Sequence, residues 1–195
     1  MIHAVIFDCF GVLVHGSLNH LRSLAPPEHL DALNDLSHSS DYGYVSEAEY
    51  LQGVGELLGK TSQEIFDIIH AQYIRNEEMI ALVRSLRGHY KTALLSNVGR
   101  GVIAGLFTPE ELESLFDVVI LSSEVGMVKP HPDIYELAAE RLGVAPSECI
   151  MIDDLPANTA GAEATGMQSK VCMNPVECAA DLRVQLLESE HARTA

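Results

Sequence analysis

The sequence predicts an α/β fold, a Rossmann-like, doubly wound parallel sheet with a small helical domain inserted after the first strand. Three observations lead to this prediction. The chain opens with a short apolar segment that ends in an Asp and a Gly, which is typical of a central strand at the ligand-binding edge of an open sheet. Residues 15–88 then contain helical patterns and no convincing strand. From Lys91 onward, apolar segments alternate with helical ones, which indicates parallel strands joined by right-handed crossovers.

The core elements are predicted from short apolar runs and from residues that start or end helices. The predicted strands cover residues 4–7, 92–95, 118–121, 149–152 and 171–172. The predicted helices cover residues 102–106, a segment after Thr108, 132–142, 158–165 and 175–188. Thr108 is a good N-cap, because Pro109 occupies the first helical position and Glu111 supplies an acid two residues further on.

The inserted segment is predicted to be entirely helical. Capping boxes formed by Ser46 with Glu49 and by Thr61 with Glu64 each start a helix, and Gly59 ends the first of the two. Three further helices are expected over residues 20–24, 28–36 and 77–86, the last of which leads back towards the sheet. The predicted domains are therefore an α/β core over residues 1–14 and 89–195 and a helical domain over residues 15–88.

Composition and charge argue against several classes of protein. The formal net charge of −16 over 195 residues disfavours binding to nucleic acid or to an anionic membrane. No apolar run approaches the roughly 18–20 residues that span a bilayer. The chain starts directly with a strand and has no basic leader, and its four cysteines show no CxxC spacing. We therefore expect a cytoplasmic protein.

Polar residues of the type that handles phosphate and metal follow four of the predicted strands. Asp8 follows the first strand, Ser96 and Asn97 follow the second, Lys129 comes a short loop after the third, and the pair Asp153-Asp154 follows the fourth. Because the carboxyl ends of parallel strands share one edge of the sheet, we expect these side chains to meet there.

These pieces resemble the motifs of the haloacid dehalogenase-like (HAD) superfamily. The matching segments are FDCFGVLV, LLSN, GMVKPHPDIY and IMIDDLPANTAGAEATGM, and the resemblance extends from Ile2 to about Cys172. It implies a HAD-like hydrolase of subclass I, in which the helical insertion is a cap that closes over the active site and helps to choose the substrate. A small phosphorylated metabolite is the substrate class that such a short cap implies, and the protein is expected to be a monomer or a homodimer.

The residue types support phosphoryl transfer. A carboxylate such as Asp8 can attack phosphorus and carry the phosphoryl group as an aspartyl-phosphate, and the superfamily uses the Asp of this motif in that way. Lys129 can neutralise Asp8 and the transferring group. The hydroxyl of Ser96 and the backbone N–H of Asn97 can donate hydrogen bonds to phosphate oxygens. In the cap, residues 41–45 are expected to contact substrate, with Tyr42 and Tyr44 as candidates for stacking or hydrogen bonding and Tyr44 as the predicted binding residue.

An adjacent acidic pair that ends a buried strand indicates a Mg²⁺ site, because two neighbouring carboxylates repel unless a cation lies beside them. The predicted metal ligands are Asp8, the main-chain carbonyl of Phe10, Asp153 and Asp154, with the carbonyl role implied by the resemblance. We expect Asp154 to bind the ion directly. Asn158 is expected either to steady the acidic loop or to act as a helix N-cap.

Phe10 is a departure from the family pattern. Phosphatases of the superfamily usually carry a second Asp at this position, which protonates the leaving alcohol and later activates water. Three hypotheses follow: a Mg²⁺-dependent phosphatase with a weakened or substituted acid, a 2-haloacid dehalogenase, or a binding or regulatory protein that has lost turnover. The dehalogenases carry an aromatic residue here but lack the acidic pair. His15 is one candidate for the replacement acid.

Overall fold

The computed structural model describes residues 1–191, apart from the side chains of residues 175, 176 and 187–191. Its centre is one five-stranded parallel sheet with the strand order β3-β2-β1-β4-β5. The strands are β1 (Ala4–Phe7), β2 (Lys91–Ser96), β3 (Val118–Leu121), β4 (Cys149–Asp153) and β5 (Gln168–Val171). The predicted fold class is therefore confirmed.

Helices cover both faces of this sheet and also form the inserted segment. The insertion contains α1 (Leu18–Leu24), α2 (Leu30–Asp41), α3 (Glu47–Leu58), α4 (Ser62–Ala71) and α5 (Glu77–Leu86). The remaining helices are α6 (Pro109–Leu115), α7 (Ser122–Val125), α8 (Pro132–Leu142), α9 (Pro156–Ala164) and α10 (Pro175–His191). Short 3₁₀ turns at Pro27–His29, Ile103–Gly105 and Pro146–Glu148 link these elements.

Strand β1 is buried on both faces, which explains its uninterrupted apolar sequence. Val5 and Phe7 point into a cluster that includes buried residues of α5 and α10. Ala4 and Ile6 point into a second cluster, built mainly with α8 and α9. Alternate residues of one strand therefore serve two cores, and no face of β1 is left for polar side chains.

The strand register places the functional motifs side by side. In β1, Phe7 lies opposite Leu94 of β2 and Ile152 of β4. Asp8 therefore emerges between the ends of two neighbouring strands, one of which finishes at Ser96 and the other at Asp153. The edge formed by these ends is where an open α/β sheet binds its ligands.

The insertion has a core of its own. Its fully or nearly fully buried apolar residues are Leu21, Leu33, Val54, Ile65 and Ile69, drawn from α1 to α4. Both predicted capping boxes are present, with Glu49 accepting from the Ser46 N–H at 2.7 Å and Glu64 accepting from the Thr61 N–H at 2.8 Å. Four short amphipathic helices thus cover one another's apolar faces.

Helix α5 packs differently from the rest of the insertion. Its buried residues, including Ile80 and Val83, belong to the cluster that covers the sheet rather than to that of α1 to α4. The packing therefore favours a division before Glu77, whereas the sequence suggested one at residue 88. Periodicity shows which face of a helix is apolar, but it does not show which partner covers that face.

Several element boundaries differ from the predictions. Residues 102–106 contain only a 3₁₀ turn, and α2 begins at Leu30 rather than at residue 28 and continues to Asp41. Strand β5 was placed at residues 171–172, but it is Gln168–Val171, an edge strand too exposed to produce an apolar run. Helix α7 was not expected; it is a single turn ended by Gly126 at φ +68°. None of the helices in residues 1–191 has the length and apolar composition needed to cross a membrane.

The insertion's own core leads to a stability prediction. Leu33→Ala removes a fully buried side chain from it and should lower the free energy of unfolding by about 2–5 kcal/mol. Leu24→Ala changes a side chain of the same segment that is 42% exposed, and it should cost less than about 1 kcal/mol. Urea denaturation followed by circular dichroism measures both. Equal small effects would show that the insertion has no cohesive core.

Candidate active site

Asp8 lies at the carboxyl end of β1 and is held by its own turn. Its backbone N–H donates to the Ile152 carbonyl at 2.9 Å, which extends the pairing with β4 by one residue. Its carboxylate Oδ1 accepts from the Cys9 N–H at 2.7 Å and faces the Lys129 ammonium at 2.8 Å. The side chain is almost completely buried, so its orientation is fixed before any ligand arrives.

Lys129 is a buried cation between two carboxylates. Its Nζ lies 2.8 Å from Asp8 Oδ1 and 2.6 Å from Asp153 Oδ2. Burial alone would lower the pKa of Lys129, but the charges of Asp8 and Asp153 and the hydrogen bonds to them outweigh burial and raise the pKa above its ordinary value. The ammonium therefore stays charged and joins the ends of β1 and β4.

Asn97 positions Lys129 through the backbone. Its side-chain amide donates to the Lys129 carbonyl at 2.9 Å and accepts from the Lys129 N–H at 2.8 Å. The loop after β2 thereby fixes the segment that carries the Lys129 ammonium. The sequence predicts a phosphate-binding backbone N–H at Asn97, but it does not predict these two side-chain hydrogen bonds to the Lys129 backbone.

Asp153 is held by four hydrogen bonds. Oδ1 accepts from the Leu155 N–H at 2.9 Å and from Asn158 Nδ2 at 3.0 Å, and Oδ2 accepts from the same Asn158 nitrogen at 3.1 Å and from Lys129. Asn158 is held in turn, since its carbonyl accepts from the Tyr135 hydroxyl at 2.7 Å. Of the two roles considered for Asn158, the structure shows the first, steadying the acidic loop. The N-cap of α9 is Leu155.

Asp154 completes a cluster of three carboxylates. Oxygen atoms of Asp8, Asp153 and Asp154 lie within 4.8 Å of one another. Gly11 makes this possible, because a Cβ on its backbone would come within 2.3 Å of the Asp154 carboxylate, and its φ of +84° suits Gly alone. Asp154 is half-buried and carries no side-chain donor among the described residues, so it is the most available ligand of the three.

The charges of this cluster favour a divalent cation. Burial, opposed by Lys129 but aided by Asp153 and Asp154, raises the pKa of Asp8 to about 7. Three carboxylates and one ammonium leave two negative charges uncompensated. Hard cations such as Mg²⁺ bind carboxylate and carbonyl oxygens, and the cluster consists only of such donors. The residues at this edge therefore fit a magnesium ion.

Phe10 turns its ring away from the three carboxylates. The ring stacks on Tyr73, which follows α4, with centroids 5.5 Å apart and an interplanar angle of 29°. Among the described residues, no donor hydrogen-bonds to the Phe10 carbonyl oxygen. The neighbouring backbone hydrogen bonds run from the Gly11 N–H to the Val14 carbonyl and from the Val14 N–H to the Cys9 carbonyl. The carbonyl can thus serve as a ligand, while the side chain packs against the insertion.

Two buried hydroxyls near this edge lack partners within the described part of the chain. They are Ser96 Oγ at the end of β2 and Ser123 Oγ in α7. A buried hydroxyl without a partner is costly, and at the edge of a ligand-binding sheet it is available to a ligand oxygen. Ser96 was predicted as a phosphate donor. Ser123 was missed because a serine pair after a strand is also a common start for a helical turn.

The insertion contacts this edge through the end of α2 and the turn after it. The Asp41 carbonyl accepts a 2.6 Å hydrogen bond from the Ser122 hydroxyl, and Gly43 is packed against the Ser123 carbonyl. Tyr44 is 75% exposed, and its ring stacks on that of Tyr42 with centroids 5.3 Å apart. The predicted substrate loop therefore lies beside the motifs, with Tyr44 at its outer surface.

His15 is exposed, and its backbone N–H donates to the Ile74 carbonyl at 2.8 Å. Among the described residues, no hydrogen bond joins its imidazole to a residue of the carboxylate cluster. The geometry therefore gives no support to His15 as the replacement acid.

Comparison with known proteins places this site in a family. The family model for haloacid dehalogenase-like hydrolases matches residues 2–166. A 90-residue segment is 36% identical to phosphatase MT3486 of Mycobacterium tuberculosis, covering 46% of this chain and 42% of that protein. A 91-residue segment is 29% identical to fructose-1-phosphate phosphatase YqaB of Escherichia coli, covering 47% and 48%.

A similar solved structure is a HAD family enzyme from Bacteroides thetaiotaomicron in complex with magnesium and inorganic phosphate. It has a TM-score of 0.71 and 23% identity over 88% of this chain and 94% of that one, which shows a shared fold. The matched segments span less than half the length of the two curated relatives. The family model, by contrast, covers most of this chain, and on that match the protein belongs to the haloacid dehalogenase-like hydrolases.

Proposed function

We propose that this hydrolase is a Mg²⁺-dependent phosphatase that acts on a small phosphorylated metabolite through an aspartyl-phosphate at Asp8. The observation that carries the proposal is the buried arrangement of Asp8 beside the Lys129 ammonium and within a cluster of carboxylates that fits a divalent cation. The phosphatases among the relatives, and the magnesium and phosphate bound by the Bacteroides enzyme, support the same chemistry.

In the proposed reaction, the Asp8 carboxylate attacks the phosphorus atom and displaces the alcohol, and water then releases inorganic phosphate from Asp8. Lys129 stabilises the charge that develops on the transferring group, and the unpartnered Ser96 hydroxyl donates to one of its oxygens. Asn97 keeps Lys129 in place, and its N–H adds a second donor in this proposal. When bound, Mg²⁺ would neutralise phosphate charge and orient the group for in-line attack.

The proposed metal ligands are Asp8, the Phe10 carbonyl, Asp153 and Asp154. Asp154 is the direct ligand of the acidic pair, because the two oxygens of Asp153 already accept from Lys129, Leu155 and Asn158. Asp153 would then contribute through its charge. This division follows from hydrogen-bonding capacity, since a carboxylate offers about four acceptor positions.

Substrate choice is assigned to the insertion as a cap. Residues 41–45 lie against α7 at the carboxylate edge, and the stacked pair Tyr42 and Tyr44 offers a flat aromatic surface there. We propose that Tyr44 contacts the non-phosphate part of the substrate. The four buried, unpaired cysteines suit the reducing cytoplasm, and either a monomer or a homodimer is compatible with the site.

A 2-haloacid dehalogenase is the second candidate, because an aromatic ring occupies the position of the second Asp and a halide leaves without a proton. The carboxylate cluster argues against it, since metal-free displacement of halide gives Asp154 no role. Metal dependence separates the two reactions.

The proposed chemistry is tested first with p-nitrophenyl phosphate, whose leaving group needs little protonation. Wild type should release phosphate only when Mg²⁺ is present, and Asp8→Asn should abolish this release because an amide cannot act as the nucleophile. Asp31→Asn, an exposed change in α2, should behave as wild type. No release by wild type would favour the non-catalytic binding protein, and metal-independent turnover of a 2-haloacid would favour the dehalogenase.

Metal binding has a readout that does not depend on turnover. Mg²⁺ at 100 times its dissociation constant should stabilise wild type by about 2.7 kcal/mol, seen as a higher Tm, and Asp154→Asn should remove most of this shift. The shift should grow as the pH rises through about 7, because Asp8 must lose its proton before it binds the ion. An equal shift in Asp154→Asn would contradict the proposed ligand.

The role of Tyr44 is tested by truncation. Tyr44→Ala should raise KM for the phosphorylated metabolites that wild type hydrolyses by about 2–10-fold, the effect of losing one aromatic contact. Val184→Ala, an exposed change on α10, should leave KM unaltered. Steady-state kinetics over a panel of sugar phosphates measures both variants. An unchanged KM for every active substrate in Tyr44→Ala would remove the proposed contact.

A further inference from the structure

The site described so far has no group to protonate the leaving alcohol. Phe10 stands where a second carboxylate would be, and its ring is committed to Tyr73. The charged groups of the centre already have other proposed roles. Asp8 is the nucleophile, Lys129 and Asp153 form an ion pair, and Asp154 is the metal ligand. General acid–base catalysis typically contributes ~10²–10⁴-fold to a rate, so a donor from elsewhere in the fold would matter.

Asp41 is a carboxylate that the insertion brings to this edge. It is the last residue of α2, and its carbonyl is held by the Ser122 hydroxyl, which also accepts from the Val98 N–H at 2.9 Å. The Asp41 backbone is thus tied at one point to the loop after β2 and to the turn after β3. The loop after β2 follows Ser96, and the turn after β3 leads towards Lys129.

Close packing fixes this position on both sides of Asp41. A Cβ added to Gly99 would lie 2.4 Å from the hydroxyl of Ser40, so the β2 loop approaches α2 closely at this glycine. A Cβ added to Gly43 would lie 2.5 Å from the Ser123 carbonyl and 3.0 Å from Arg100 Nε. Asp41 therefore sits in a rigid contact between insertion and core, which a proton donor requires.

The surroundings of the Asp41 carboxyl group suit proton exchange. Burial raises its pKa to about 6, although His38 on the same helix and Lys129 of the catalytic centre lower it. Tyr50 of α3 also interacts with its charge, Arg100 lies beside Gly43, and Glu124 of the adjoining α7 is exposed. The ammonium that contacts Asp8 is thus one of the charges that act on the Asp41 carboxyl group.

We propose that Asp41 is the general acid and base of the phosphatase reaction, supplied by the insertion in place of the carboxylate missing at Phe10; this inference rests on the proposed function. In the first step, an Asp8 oxygen bonds to phosphorus, the ester P–O bond breaks, and the leaving oxygen takes the proton of Asp41. In the second step, Asp41 takes a proton from water as the water oxygen bonds to phosphorus. The bond to Asp8 breaks, giving phosphate and regenerating both carboxyl groups.

The test compares Asp41→Asn with Asp35→Asn, an exposed change on the same helix, using phenyl phosphate and p-nitrophenyl phosphate. Phenolate is the poorer leaving group, so Asp41→Asn should lower kcat/KM for phenyl phosphate by at least ~10²-fold and much less for p-nitrophenyl phosphate. Because the base of the second step is also lost, Asp41→Asn should release a burst of p-nitrophenol and accumulate phosphate on Asp8. Asp35→Asn should match wild type in all of these measurements.

Two further readouts separate proton transfer from a structural role. The alkaline limb of the wild-type pH profile with phenyl phosphate should disappear in Asp41→Asn, and Asp41→Glu should restore part of the activity. Equal losses on both substrates without a burst, or an unchanged Asp41→Asn, would overturn the proposal. If Asp41→Asn does not fold, Asp41→Glu becomes the deciding variant. An Asp41→Glu protein that folds like wild type but loses equal activity on phenyl phosphate and on p-nitrophenyl phosphate would also overturn the proposal. Inactive wild type would instead contradict the proposed phosphatase function.

Discussion

The buried ammonium of Lys129 is the interaction on which the site depends. It neutralises the inward-facing oxygens of Asp8 and Asp153, which would otherwise repel across the ends of β1 and β4. Removing one partner of such a buried group leaves an uncompensated charge, which typically costs about 3–5 kcal/mol. The neighbouring parts of the fold support this one contact: Asn97 holds the Lys129 backbone, and Asn158 holds Asp153.

The same charge balance explains why the cluster of three carboxylates fits a divalent cation. One ammonium cannot offset three carboxylates, and burial, aided by the charges of Asp153 and Asp154, raises the pKa of Asp8 to about 7, so that the group retains protons below that pH. A divalent ion would take the place of these protons, and Asp154, held near Asp8 only because Gly11 has no side chain, is the ligand least committed to other partners. The three carboxylates and the Lys129 ammonium therefore form one electrostatic unit.

Under the proposed role of Asp41, the insertion would compensate for the presence of Phe10 in the core. At Phe10 the chain carries a ring that packs on Tyr73, and this contact joins the nucleophile turn to the segment between α4 and α5. In our proposal, Asp41 of the same insertion would supply the acid that is absent at Phe10. The aromatic contact and the proposed proton donor would thus both depend on how the insertion packs against the core.

The sequence by itself determined the parallel fold and the family, and it predicted Asp8, Ser96, Lys129 and the acidic pair as candidate site residues, because apolar strands that end in polar residues form a local pattern. Only the tertiary structure decided which of these groups touch, that the Asn97 side chain holds Lys129, that α5 packs on the sheet, and that the Asp41 carbonyl accepts a hydrogen bond from Ser122 beside this edge. Those outcomes depend on contacts between segments distant in sequence, and local periodicity carries no information about the partner that covers a given face.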